Sequence, residues 1–288
     1  MVKYMGWGGA AACRPAGRNI PGPVAGPRSQ VTGLVVRAGL ALFIVTLTQL
    51  TGASGARADF KVRSPIVDYR EFEFEHNGAV TFDRKRELNK DQSYTYSIGV
   101  AVTEFWMIEL EAETGAAPGS NLSFNARTIE NTFQLTPQGK YWADLGFFFE
   151  YSHGALRDSA NGVKFGPIVQ KQTAGFGQYG LLHTLNVFFK KDIGRFGTTR
   201  SGFAPAWQSR VLLNAFFQPG FEIYGNAEDL GRPGKFNDQQ YNVGPMFAGS
   251  YTFGGFGKIK YELGYLVGLT TATPRGTVRW KFEYEIPF

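Results

Sequence analysis

The chain has 288 residues, with 30 Lys+Arg against 24 Asp+Glu and a formal net charge of +6. The excess sits in residues 1–58, which hold Lys3, Arg14, Arg18, Arg28, Arg37 and Arg57, no acidic residue, and the single cysteine, Cys13. Residues 59–288 carry 24 basic and 24 acidic side chains, which excludes a basic nucleic-acid-binding body, a disulfide framework and a cysteine-ligated metal site there.

In chain order, the first element is a targeting segment. Arg28 and Arg37 precede the apolar run Ala38–Leu50, and small residues follow as far as Ala56-Arg57-Ala58. A charged region, a short apolar region and an A-x-A-like site form a secretory signal, with cleavage expected between Ala58 and Asp59. The apolar run is shorter than the roughly 20 residues of a transmembrane helix. Residues 1–58 are therefore read as a removed leader and residues 59–288 as the working domain.

After the leader no helical stripe is sustained. Alternation with period two recurs instead, the mark of strands with two unlike faces. Twelve segments follow, over residues 70–83, 92–102, 105–113, 124–136, 142–153, 162–171, 180–191, 206–217, 219–226, 240–252, 257–270 and 276–288. In the second, Tyr94, Tyr96, Ile98 and Val100 alternate with Thr95, Ser97 and Gly99; in the fifth, Leu145, Phe147 and Phe149 alternate with Asp144, Gly146 and Glu150. In the last, Val278, Trp280, Phe282, Tyr284, Ile286 and Phe288 alternate with Arg279, Lys281, Glu283 and Glu285. Pro167 and Pro245 fall inside segments, each after a Gly, and predict a bulge or bend where a ladder bond is lost.

Connections after odd-numbered segments are mostly long and polar, and those after even-numbered ones mostly short and rich in Gly or Pro. Long loops on one rim and short turns on the other fit an all-β, antiparallel up-and-down transmembrane barrel of about 12 strands. The terminal strand Trp280–Phe288, with Trp280, Phe282, Tyr284, Ile286 and Phe288 on one face, resembles the C-terminal strand of bacterial outer-membrane β-barrel proteins. The resemblance implies a Gram-negative outer membrane, and it makes those five residues the signal read by the barrel assembly machinery. Lys164-Phe-Gly-Pro167 and Tyr265-Leu-Val-Gly-Leu-Thr270 are similar to segments of proteobacterial outer-membrane proteins, some grouped with channels near aromatic-degradation genes.

With aromatics outward to lipid, the charged face lines the lumen. The acidic lining is Glu71, Glu73, Glu75, Glu109, Glu111, Glu113, Glu130, Glu150, Glu222, Glu262, Glu283 and Glu285, with Asp144. The basic lining is Arg210, Lys258, Lys260, Arg279 and Lys281, with Lys164 and Lys190. Closure places Arg279 and Lys281 near Glu71, Glu73 and Glu75. Two readings of the lumen stay open: a salt-bridged plug of side chains, or a polar pathway whose acidic stripe favours cations. The favoured function is a porin-like passive channel for a small polar or cationic solute. The alternatives are a sealed structural or adhesive barrel, a barrel enzyme acting on lipid, and a soluble periplasmic ligand-binding barrel. Only Ser152-His153 tempts an enzymatic reading, and neighbours on a strand point to opposite faces. No catalytic residue, metal site or cofactor is expected. The expected partners are outer-membrane lipid, the assembly machinery and a small solute, not nucleic acid.

Overall fold

The computed structural model describes residues 60–155, 159–175, 177–195 and 201–288. The leader and the Ala58–Asp59 junction lie outside the described residues. Twelve strands run in chain order: β1 Glu71–Phe82, β2 Gln92–Thr103, β3 Trp106–Ala116, β4 Ser123–Gln134, β5 Asp144–Gly154, β6 Asn161–Ala174, β7 Gly180–Ile193, β8 Ser201–Leu212, β9 Gln218–Asn226, β10 Gln240–Thr252, β11 Lys258–Gly268 and β12 Gly276–Pro287. Each pairs antiparallel with its neighbours, and β1 pairs with β12 to close the barrel. Closure removes the free edges that an open sheet would leave with unmet backbone groups.

Register makes the two faces continuous around the wall. One row reads Glu73, Gly99, Glu109, Glu130, Glu150, Lys164, Lys190 and Gly202 from β1 to β8. The row displaced by one residue reads Phe72, Val100, Ile108, Asn131, Phe149, Phe165, Phe189 and Phe203. The charged row is inward: Glu109, Glu130 and Glu150 are buried, while Phe149, Phe165 and Phe189 of the apolar row are exposed. A water-soluble barrel has the opposite arrangement. The single polar member of the outer row, Asn131, accepts a hydrogen bond from Trp106 Nε1 at 3.1 Å.

Eleven of the twelve segments expected from the sequence match strand bounds within about three residues at each end, the usual boundary error of such readings. β8 begins at Ser201 instead of 206 and ends at Leu212, and β3 extends to Ala116. The sequence places Pro205 in a loop, but it lies within β8, opposite Val187 on β7. No bulge forms at the two Gly-Pro steps. Phe165 pairs with Phe189 and Ile168 with Asn186, in the same register, and the ladder is simply interrupted between them. The same happens between Val243–Val267 and Met246–Gly264. Pro lacks the donor, and the preceding Gly lets the neighbouring backbone close in. A Cβ on Gly166 would collide with the Val187 carbonyl oxygen, and one on Gly244 with that of Tyr265. The register shifts that do occur lie in β2–β3 at Ala101/Thr103 and in β3–β4 at Glu113/Thr114.

The closing seam has its own contact. The Trp280 indole lies over Gly78 of β1, where a Cβ would overlap the ring. Its Nε1 donates to His76 Nε2 at 3.2 Å, and His76 Nδ1 faces the Thr95 carbonyl oxygen at 3.1 Å. An acceptor at Nε2 fixes the neutral tautomer with its proton on Nδ1. Gly78→Leu is expected to expel the indole and destabilise the barrel by about 1–3 kcal/mol, the usual cost of overpacking. Urea titration followed by heat-modifiable gel migration measures it; an unchanged midpoint would remove Trp280–Gly78 as a seam contact.

Candidate functional site

The lumen is occupied by the chain's own residues ahead of β1. Starting at Arg70, whose carbonyl accepts the Phe288 amide at 3.0 Å, the segment runs backwards from the short-turn rim toward the middle of the barrel. It forms no sheet ladder; wall side chains hold its backbone instead. Gln134 Oε1 accepts the Val67 amide at 2.9 Å. Asn186 Oδ1 accepts the Arg63 amide at 2.7 Å, while its Nδ2 donates to the Arg63 carbonyl at 2.8 Å. The Tyr224 hydroxyl lies 3.2 Å from the Phe60 carbonyl oxygen and 3.1 Å from the Glu222 carboxylate, sharing its one proton between these two acceptors. Pro65 fits because β5 carries Gly146 there: a Cβ would stand 2.7 Å from that of Pro65.

An extended segment presents alternate side chains to opposite sides, and the lumen treats them differently. Phe60 and Val62 meet an apolar patch of Ala206, Tyr224 and Leu266, with Phe60 edge-on to Tyr224 at 5.3 Å and 87°. Lys61 and Arg63 meet the acidic wall. Lys61 Nζ lies 2.5 Å from Glu75, 3.3 Å from Glu109 and 3.5 Å from Glu130. Arg63 pairs with Glu130, approaches Glu150 at 3.9 Å and stacks over Phe148 at 4.4 Å. From the wall itself, Lys164 pairs with Glu150 and Lys281 with Glu75 at 3.0 Å. Four buried carboxylates, Glu75, Glu109, Glu130 and Glu150, thus meet four cations, two of them from the segment. A buried ion is tolerated only when so paired.

A second buried network lies across the barrel. Arg279 donates from Nε to Glu222 at 2.8 Å and from Nη1 to Glu262 at 2.7 Å. Gly264 makes room for it, since a Cβ there would strike the Glu222 carboxylate. Near the short-turn rim, Lys260 bridges Glu283 at 2.7 Å and also meets Glu285, and Lys258 meets Glu285 at 3.0 Å. Asp68 reaches Lys260 at 3.4 Å. Glu73, Glu75 and Glu283 come within 4.8 Å of one another, the spacing of a cation site. Ammonium groups already lie there, with Lys61 and Lys281 on Glu75 and Lys260 and Lys281 on Glu283.

Register puts Glu71 and Glu73 on the inward face of β1, Glu111 and Glu113 on that of β3, and Arg210 on that of β8. Glu111 is buried, and Glu113 accepts from Thr128 at 2.6 Å. Lys281 reaches Glu75 from across the seam. Arg279, expected beside the β1 glutamates, stands opposite Ala79 and turns to Glu222 and Glu262. On the outer face of β12, Phe282 and Phe288 are exposed, Tyr284 is half-exposed and donates to the Phe256 carbonyl, and Phe288 packs on Phe72 at 4.6 Å. Ile286 shares that register face but is buried. Ser152 points inward, to Thr128 and Glu150, and the next residue, His153, points outward and is exposed. The sequence reading missed Lys61, Arg63, Asn186 and Gln134 as site residues. The signal was present in the alternation Phe60-Lys-Val-Arg63, which Ser64-Pro65 cuts short.

The segment separates two cavities. One of about 270 Å³ opens toward the short-turn rim and is lined by Asp68, Glu73, Arg210 and Lys258, among others. The other, of about 410 Å³, lies toward the long loops and includes Phe60, Glu111, Glu113, Ser152 and Lys190.

No family model matches the sequence, and no curated protein matches it. Solved structures similar to it are bacterial outer-membrane barrels. An outer membrane channel from Pseudomonas putida F1 has 10% identity and a TM-score of 0.49, covering 81% of this chain and 100% of that one. The translocator domain of autotransporter NalP from Neisseria meningitidis has 10% identity and a TM-score of 0.47, covering 91% and 98%. OmpT, an outer membrane protein of Vibrio cholerae, has 7% identity and a TM-score of 0.26, covering 75% and 98%.

The space at Gly146 gives a direct check on the seated segment. With Val62→Cys as a reporter, maleimide labelling of the folded barrel is expected to be slow, because Val62 is buried. Adding Gly146→Leu should unseat Pro65 and speed labelling by at least about tenfold, the factor that 1.4 kcal/mol of overpacking strain gives. Equal rates in the two backgrounds would mean that Pro65 does not depend on that gap.

Proposed function

We propose that the protein is an outer-membrane β-barrel that forms a passive pathway for small polar or cationic solutes, closed in the observed state by residues 60–68. The observation that carries this reading is the position of Lys61 and Arg63, which join the carboxylates of the acidic wall between two cavities. The membrane part rests on the inverted faces: apolar rows outside and charged rows inside suit lipid outside and water within. The signal-like leader of residues 1–58 supports export. Outer-membrane lipid is then the partner of the outward aromatic rows. The strand Trp280–Phe288 is the segment offered to the assembly machinery. Glu109, Glu111 and Glu113 set the preference for cations, as rings of carboxylates do in cation channels. A hydrolytic role draws no support from Ser152 and His153, which face opposite sides of the wall.

Removing the two segment cations leaves the acidic wall under-neutralised and the segment unlatched. In planar bilayers the full chain is expected to conduct poorly. The Lys61→Ala/Arg63→Ala variant should conduct more, with cation preference that falls when Glu109, Glu111 and Glu113 become Gln. If that double variant conducts no better than the full chain, the barrel is sealed by its wall side chains and the pathway is wrong.

A further inference from the structure

The way residues 60–67 are held has features that a mere stopper does not need. Three wall side chains address the backbone of the segment rather than its side chains. Asn186, fully buried, gives one acceptor and one donor to a single residue, the paired contact that a strand gives to an extended peptide. Tyr224 and Gln134 address the backbone at positions 60 and 67. Side-chain selection alternates as a strand requires: apolar patch, acidic wall, apolar patch, acidic wall for Phe60, Lys61, Val62 and Arg63. Asn242 is 4% exposed, lies inward on β10 beside Phe60 and Tyr224, and its Oδ1 has no hydrogen-bond partner. A buried acceptor left unmet costs about 1–3 kcal/mol, and the N–H of a differently seated peptide would satisfy it.

We infer that the lumen is a binding tract for short extended peptides with basic residues at alternate positions, and that residues 60–67 occupy it in cis as a surrogate for a peptide supplied in trans. This rests on the proposed pathway, which gives such a peptide its entry from the short-turn rim. A polyamine would satisfy Glu75, Glu109, Glu130 and Glu150 but would leave Asn186 without a backbone to hold. The geometry therefore selects a peptide over a bare polycation.

The test uses a fluorescent peptide of sequence FKVRSPIV, that of residues 60–67, and barrels refolded in detergent and checked by heat-modifiable migration. Anisotropy is expected to show binding to a variant lacking residues 60–67, and binding at least about tenfold weaker to the full chain, whose site is occupied in cis. Asn186→Leu in the deletion background should weaken the peptide by about tenfold, the loss of two buried hydrogen bonds, and leave displacement by spermidine unchanged. The peptide FEVESPIV should not bind. Where the deletion prevents folding, the full-length Lys61→Ala/Arg63→Ala protein serves as the unlatched receptor and should bind the peptide more tightly than the wild type. A folded, unlatched barrel that ignores the peptide overturns the inference, as does one that loses peptide and spermidine alike on Asn186→Leu. Conductance separates the two readings: an unlatched barrel that conducts but binds no peptide keeps the pathway and loses the tract. One that binds peptide without conducting keeps the tract and loses the pathway.

Discussion

A closed wall with lipid on one side leaves charged side chains only one place to go, and once inside they must neutralise one another. Most of the internal architecture follows from that constraint. Water in a narrow lumen cannot solvate a dozen carboxylates as bulk solvent would, and an unpaired buried ion costs several kcal/mol. The wall answers in two ways. Cross-strand neighbours supply some cations, as Lys281 does for Glu75 and Lys164 for Glu150. The acidic wall of β1, β3, β4 and β5 still lacks partners, because β2 to β5 offer no inward Lys or Arg. The segment ahead of β1 fills that deficit with Lys61 and Arg63.

Glycine is distributed to the same end. At Gly146, Gly264 and Gly78 the missing Cβ is replaced by another residue's bulk: Pro65, the Arg279–Glu222 pair and the Trp280 indole. The first two admit inward partners and the third an outward one. Gly166 and Gly244 serve differently, letting a neighbouring backbone approach where the following proline has removed a ladder bond. At these five positions glycine answers a particular contact and not a general need for softness in the wall.

Strand alternation was legible in the sequence because period two is enforced at every position of a wall between two solvents. A strand in which Glu283 and Glu285 alternate with Phe282 and Tyr284 has only one way to face. The same logic identified which carboxylates point inward. It misplaced β8, whose first half, Ser201–Pro205, reads as loop by residue type. Gly, Ala and Pro suffice there because the inward positions Gly202 and Ala204 face Lys190 and Phe188 on β7, and neither needs bulk. The pairing of Arg279 was misread because adjacency across the seam was taken for contact. The guanidinium turns away from β1, over Gly264 on its other neighbour β11, and meets Glu262 there and Glu222 two strands further on, on β9. The segment's alternation was visible but its role was not, because most of its contacts join residues 48 or more positions apart and are specified by the shape of the closed lumen.

The manner of attachment bears on how the lumen opens. Had residues 60–68 been a thirteenth strand, leaving would break a backbone ladder and the wall with it. They are held by side chains alone, so departure leaves all twelve strands paired. What departure changes is charge. Lys164 and Lys281 stay with the wall, while Lys61 and Arg63 go, leaving Glu75, Glu109, Glu130 and Glu150 with half their cations. That deficit pulls the segment back, and mobile cations entering from either cavity relieve it. The acidic wall that receives the segment is thus the same feature that attracts the species able to replace it. Closure and selectivity for positive charge are two consequences of one electrostatic deficit.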